Sequence, residues 1–192
     1  MDDLKRAAMI FQGLLNVKYK IILGKKRKLT EFYIDFQKED FFHLIGLQYL
    51  KDLPYLRKSR DIVFDKIING EITLTDISKS YFYEAITQRI QDFLLFETLL
   101  DINDIAFKCA KNRSTFSNIS AEYLLLTSYD GRTNYIFIDQ FTNRVCKGCR
   151  SFFFNDINDY CKNQVRMTLL YKEKIYVNDK KSVIQFDRLH KS

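Results

Sequence analysis

Glu122-Tyr-Leu-Leu-Leu-Thr-Ser128, then Tyr129-Asp130-Gly131-Arg132, then Asn134-Tyr-Ile-Phe-Ile-Asp139 is the stretch whose reading decides the fold. Two runs dense in aromatic and branched apolar residues flank an Asp-Gly step, and that step is the signal of a tight β-hairpin. Strand patterning continues on its C-terminal side. Arg150–Phe154 is a short, dense strand, Val165–Val177 a strand or a bent pair, and Ile184–Leu189 a last edge strand, while Asp156–Lys162 reads as one or two helical turns. On the N-terminal side the pattern is helical. Residues 57–100 read as helix throughout: one helix centred on Ile62–Ile68 and stopped by Asn69-Gly70, a short one after Thr73 capped by Thr75, and a long one from Tyr83 to Leu100.

Further upstream, Asp3–Leu15 repeats apolar residues at helical spacing, and Val17–Leu23 alternates as a strand does. Gly24-Lys-Lys-Arg-Lys28 is a turn, Leu29–Phe36 a second strand, and Lys38 to about Lys51 a helix closed by Pro54. An early hairpin, a helical middle and a C-terminal meander make an α+β chain, with N-terminal helices and a hairpin packed on a small antiparallel sheet. The segregated order excludes a parallel doubly wound sheet.

The chain has 192 residues, 46% of them hydrophobic, with 17 Phe, 12 Tyr, six Gly and a single proline. This is enough to bury a sizeable core, and no linker, repeat or low-complexity run divides it, so the expectation is one domain over 1–192 with its core at about 5–178. Lys and Arg number 31 against 24 Asp and Glu, a net charge of +7 that favours polyanionic partners such as nucleic acid. Lys18, Lys20, Lys25, Lys26, Arg27 and Lys28 follow one another without an intervening acid, and Arg144, Lys147, Arg150, Lys162, Arg166, Lys172 and Lys174 form a second basic group. The bland reading of residues 25–28 is a solvated hairpin tip. No apolar run is long enough to span a membrane, no signal peptide opens the chain, and four cysteines are too few for a disulfide framework, so a cytoplasmic protein is expected.

Cys146-Lys-Gly-Cys149 has zinc-knuckle or redox spacing, but zinc needs two further ligands, for which Cys109 and Cys161 would have to converge; ordinary reduced thiols are the simpler reading. Phosphate-binding glycine loops, metalloprotease motifs and nucleophile elbows are absent. The expectation is therefore side-chain chemistry with no metal and no cofactor. Glu39-Asp-Phe-Phe-His43-Leu-Ile-Gly-Leu-Gln-Tyr-Leu-Lys51-Asp52 places one of the two histidines in an apolar run, where a buried imidazole without partners costs about 1–3 kcal/mol. A structural hydrogen bond or a reaction has to meet it. On a continuous helix Lys51 shares the face of His43, about 12 Å along the axis. In the C-terminal strands, period two places Ser151 with Phe153 and opposite Arg150, and places Tyr171 with Glu173 and opposite Lys172 and Lys174. A bulge or strand end is needed to bring both faces to one cleft, and the plain alternative is an aromatic core strand with solvated charges. His190 reads as a solvated tail residue.

Phe41-Phe-His43-Leu-Ile-Gly46-Leu-Gln-Tyr-Leu-Lys51-Asp52, Ile72-Thr-Leu, Ser78-Lys-Ser80, Arg89-Ile, Tyr123-Leu-Leu-Leu, Ser151-Phe-Phe and Leu170-Tyr171-Lys172-Glu-Lys174 together resemble the Barnase–EndoU–colicin–RelE-like class of phage- and mobile-element-associated nuclease domains, in its fourth phage-associated subgroup. The resemblance covers about residues 5–178. It implies a metal-independent endoribonuclease of phage or mobile-element origin, in which the ribose 2′-OH attacks its own phosphate with the help of a base, an acid and a cation. On that reading His43 is the acid or base, as an imidazole ordinarily titrates near 6.5. Tyr171 and Ser151 bond the phosphate or orient the ring, and Lys172, Arg150 and Lys174 neutralise the developing charge. Lys51, Lys26 and Arg27 contact substrate. RNA is then the partner, alongside an immunity or antitoxin-like protein. The alternative is a non-catalytic nucleic-acid- or protein-binding accessory factor that keeps the same fold; only the enzyme requires His43.

Overall fold

Helix α1 (Asp3–Leu14) buries Leu4, Ala7, Ala8, Phe11 and Leu14 along one stripe, as its periodicity dictates. Asp2 caps it, accepting from the Lys5 amide at 2.9 Å, and its other carboxylate oxygen accepts from the amide of Leu74 at 2.9 Å. The structure is a computed structural model that describes residues 1–110, 119–155 and 157–190. Its contacts divide the chain into two compact units, Met1–Leu15 with Gln37–Glu97, and Asn16–Phe36 with Thr98–Ser192.

The first unit is helical. After α1 come α2 (Lys38–Leu44), α3 (Arg60–Asn69), α4 (Leu74–Ile77) and α5 (Glu84–Phe93), with 3-10 turns at Leu47–Tyr49 and Pro54–Arg57. Phe11, Phe41, Phe64 and Phe93 form its centre; Phe41 meets Phe64 at 5.2 Å and Phe93 at 5.5 Å, both edge-on, the arrangement ring quadrupoles favour. Three expectations are corrected here. The helix from Lys38 does not reach Lys51 but ends at Leu44, because Gly46 sits at φ +94°. A Cβ there would come within 2.8 Å of Ile86 Cγ2, so the chain turns where only glycine fits. Lys51 is thus not on a helix face shared with His43. Thr73, not Thr75, caps α4, in a reciprocal box with Asp76. The long helix over 83–100 is two, α5 and α6 (Phe96–Ile102), broken where the Leu94 and Leu95 amides fall back to carbonyls three residues away. Phe93 and Phe96 stack across that break at 4.8 Å.

The second unit holds the strands: β1 (Val17–Lys25), β2 (Lys28–Ile34), β3 (Ile105–Lys108), β4 (Tyr123–Tyr129), β5 (Arg132–Asp139), β6 (Gly148–Phe154), β7 (Val165–Tyr176) and β8 (Lys181–Asp187). They form one antiparallel sheet in the order β2-β1-β7-β3-β4-β5-β6, with β8 also on β7. The early hairpin is therefore no separate layer; β1 pairs along β7 from Val17↔Tyr176 to Gly24↔Thr168. The sheet curls until β2 meets the approach to β6. Ile34 bridges to Lys147, the Asp35 amide donates to the Lys147 carbonyl at 3.0 Å, and Phe32 stacks on Tyr123 at 4.6 Å. Asp130 and Gly131 close the β4–β5 hairpin at φ 49° and 73°, as the Asp-Gly step requires. Residues 157–163 make turns; Asp156, where the sequence opens that segment, lies outside the described residues. Among the described residues no helix is long and apolar enough to cross a membrane.

The ladders on either edge of β7 each carry one irregularity, and these position everything below. Against β1, Ile22 faces Tyr171 and Leu23 faces Leu169, so Leu170 is extra; against β8, Lys172 faces Phe186 and Glu173 faces Ile184, so Gln185 is extra.

Candidate active site

Directly opposed residues of an antiparallel pair share a face. The pairs Lys20↔Glu173, Ile22↔Tyr171, Lys20↔Tyr33, Ile22↔Glu31 and Tyr171↔Asp187 therefore collect Lys20, Glu31, Tyr33, Tyr171, Glu173 and Asp187 on the outward face of β1, β2, β7 and β8. The Tyr171 hydroxyl donates to Glu173 Oε2 at 3.0 Å. Lys20 Nζ stands 5.9 Å from the centre of the Tyr171 ring and 5.8 Å from that of Tyr33, and 3.4 Å from Glu31 Oε2. His190 joins them from beyond β8. The amides of Leu189 and His190 donate to Asp187 Oδ1 at 2.9 and 3.1 Å, which folds the tail back, and His190 Nδ1 meets Asp187 Oδ2 at 2.9 Å. The imidazole then stands edge-on to Tyr171, ring centres 6.2 Å apart, with its side chain 75% exposed.

The electrostatics follow from these contacts. Burial, reinforced by the Glu173 acceptor, pushes the Tyr171 phenol above its ordinary range and keeps it a donor. Burial pulls the Lys20 ammonium down, but Tyr33 and Glu31 more than offset it and hold it above the usual lysine value. Partial desolvation pushes the Asp187 carboxyl up, and the hydrogen bonds from His190 and Leu189 bring it below the ordinary carboxylate range. A fixed acceptor for Nδ1 leaves Nε2 of His190 as the nitrogen available to a substrate.

The inward face of the same strands is built differently. Tyr19↔Lys174 and Ile21↔Lys172 oppose each other there. Lys172 is 1% exposed, and its Nζ donates to the carbonyls of Leu100, Asp101 and Asn103 and to Asn103 Oδ1, at the C-terminal end of α6. Lys174 Nζ reaches Asp101 Oδ2 at 2.8 Å, and the Tyr19 hydroxyl donates to Asp101 Oδ1 at 2.5 Å. Burial drives the Lys172 ammonium down to about 7, although Asp101 and Asp104 pull the other way.

The residues singled out from the sequence are thus scattered. Tyr171 is on the outward face; Lys172 and Lys174 are on the inward one. Ser151 and Arg150 belong to β6, four strand positions from β7. Ser151 opposes Phe137 beside the rings of Tyr135, Phe153 and Tyr160. Arg150 is the bulged residue of β6, ion-paired to Asp139 at 3.0 Å with its guanidinium 5.1 Å from the Phe141 ring. His43 belongs to the helical unit, half-buried in the last turn of α2, with its carbonyl accepting from the Gly46 amide at 3.2 Å and Gln48 Nε2 at 3.3 Å. Lys51 is exposed in that same unit. Lys26 and Arg27 form the exposed β1–β2 tip at φ 47° and 63°. Sequence reasoning missed Lys20, Glu173, Asp187 and His190 as a group. The signal was present in the Asp187-x-x-His190 spacing just after an edge strand, a step that closes an acid–imidazole pair.

Cys146 and Cys149 are buried, and Cys109 and Cys161 half-buried. Burial pushes Cys109 up to about 11 and Cys161 up to about 12, so both are protonated thiols at neutral pH. Among the described residues no three His, Cys, Asp or Glu side chains are grouped as a metal would need.

A family model described as phage-Barnase-EndoU-ColicinE5/D-RelE like nuclease 4 matches residues 3–189. No curated protein and no solved structure matches the chain.

Proposed function

The chain belongs to the phage-Barnase-EndoU-ColicinE5/D-RelE like nuclease 4 family, and from that premise we propose a metal-independent endoribonuclease whose reacting groups are those on the outward face of β1, β2, β7 and β8. The observation that carries this reading is that a carboxylate and an imidazole, Glu173 and His190, both contact one phenol, with an ammonium over its ring. Transesterification by the ribose 2′-OH needs a group to take the hydroxyl proton, a group to protonate the departing 5′ oxygen, and positive charge at the phosphorane. Glu173 takes the first proton. His190, held through Nδ1 by Asp187, delivers the second from Nε2. Lys20 and the Tyr171 hydroxyl stabilise the charge on the non-bridging oxygens, and the product is a 2′,3′-cyclic phosphate. The basic tip at Lys26 and Arg27, at the end of the same hairpin, takes backbone phosphates farther along the strand.

The test is incubation of the protein with total RNA in EDTA, with the ends of the fragments mapped, for wild type, Glu173→Gln, His190→Ala and His43→Ala. Wild type and His43→Ala are expected to leave 2′,3′-cyclic ends, and the other two to leave RNA intact. Loss of cleavage in folded His43→Ala, with His190→Ala active, moves the chemistry to the helical unit. Wild type that binds RNA and leaves it uncut turns the reading to an accessory factor.

A further inference from the structure

The edge of β7 opposite β1 is shared by two strands. β3 pairs with it only over Val165–Met167, and β8 only from Tyr171 onward. Between them Thr168 and Leu169 have no ladder partner on that edge among the described residues, and the Leu170 carbonyl takes the amide of Arg188 at 2.8 Å. A cleft of about 420 Å³ fills this fork. Its walls are chemically divided. Arg166 and Arg188 bring two guanidiniums and Asp104 one carboxylate, while Met167, Leu169 and Phe186 contribute the smaller, apolar part of the lining. Among the described residues neither arginine has an ion-pair partner; Arg188 rests 5.1 Å from the Phe186 ring centre. Two guanidiniums without ion-pair partners in a cleft whose exposed lining is mainly polar suit an anionic ligand.

Resting on the endoribonuclease reading above, we infer that this fork is the subsite for the nucleotide one step beyond the pair that flanks the cleaved bond. Arg166 and Arg188 hold its phosphate, since guanidiniums match phosphate oxygens in pairs. Asp104 repels the phosphate, which sets the polarity of the strand in the cleft, and accepts from N–H groups on the base edge. The spacing fits. Thr168 is three residues from Tyr171, at most about 10 Å along the strand, farther than one phosphate-to-phosphate step and so within reach of the nucleotide beyond the flanking pair.

The experiment uses the full chain and two probes: binding of a 2′-O-methyl RNA hexamer, which cannot undergo 2′-OH attack, by fluorescence anisotropy, and cleavage of a hexamer and a dinucleotide of unmodified RNA. Arg166→Ala and Arg188→Ala are each expected to weaken hexamer binding about tenfold and to raise the KM of hexamer cleavage similarly. Dinucleotide cleavage, which leaves the fork empty, stays at the wild-type rate. Asp104→Ala is expected to level the preference among bases at the position the fork holds. Equal effects on dinucleotide and hexamer, or hexamer binding unchanged in both arginine variants, overturn the subsite. If wild type binds the hexamer through these arginines and never cleaves RNA, the subsite stands and the catalytic reading falls.

Discussion

On each face of β7 a phenol, an ammonium and a carboxylate meet (Tyr19, Lys174 and Asp101 inward; Tyr171, Lys20 and Glu173 outward), and the two groups serve opposite ends. Inward, Lys172 and Lys174 are 1% and 4% exposed, and their ammonium groups are saturated by the carbonyls that end α6 and by Asp101. Outward, Tyr171, Glu173 and their neighbours meet one another as single contacts, and His190 stays open to solvent. Saturation fixes structure, because each of these ammonium groups already has its acceptors and a substrate has nothing to gain. Partial satisfaction leaves a group able to exchange its partner for a phosphate. A lysine in a basic run is therefore not yet a substrate contact; the parity of the strand decides, and a single bulge at Leu170 sets that parity.

The strongest way to break this comparison is to disarm the outward face. Glu173→Gln and His190→Ala are each expected to lower kcat by about a thousandfold, the usual weight of a general acid or base, with thermal midpoints within a degree or two of wild type. Inward substitution should do the reverse. Lys172→Met leaves the Leu100, Asp101 and Asn103 carbonyls without their donor and is expected to lower unfolding free energy by about 3 kcal/mol in urea titration, while kcat of the folded fraction is unchanged. If Lys172→Met abolishes turnover without loss of stability, the assignment of faces is inverted.

A pH series sharpens the inward half. The folded Lys172 ammonium titrates at about 7 against an ordinary 10.5, so between these values the unfolded chain binds more protons and stability rises with pH. The stability contributed by this group is present above the unfolded value and is lost as pH falls toward 7. Wild type should thus gain on Lys172→Met by about 2 kcal/mol between pH 7 and pH 9. A flat difference over that window means the carbonyl cage holds the ammonium charged throughout.

The same distinction explains what could be read in the sequence. Features fixed by neighbours along the chain were legible: α1 with its apolar stripe, the Asp130-Gly131 hairpin, the stop at Gly70, and the alternation that separates Tyr171 from Lys172. Features fixed by distant partners were not. Gly46 ends α2 because Ile86, forty residues on, occupies the space a side chain would need. Strand β3, of four residues, exists because β4 and β7 flank it. The sheet order that separates Ser151 from Tyr171 by four strands has no local signature. His190 escaped for the same reason. Its ring reaches Tyr171 only because β8 docks on β7 and Asp187 then folds the tail inward. Tyr171 and the Lys26-Arg27 tip were named from the sequence, but the company they keep was not.

The smallest expected effect lies at that tip, where stability and binding should part. Lys26 and Arg27 occupy φ 47° and 63°, almost the geometry of Asp130 and Gly131 at 49° and 73° in the β4–β5 hairpin. Both turns join strands through two residues with positive φ, a conformation that Asn-Gly or Asp-Gly adopts with least strain and that long side chains resist. The β4–β5 turn follows this rule; the β1–β2 turn breaks it and places two cations there instead. Replacing Lys26-Arg27 with Asn-Gly is expected to stabilise the fold by about 1 kcal/mol in urea titration. The same change removes two phosphate contacts, so the slope of log Kd against log salt for single-stranded RNA should flatten by about 1.4. A variant that is more stable and binds RNA with an unaltered salt slope would place the tip outside the path of the substrate and confine recognition to the outward face and the fork beside it.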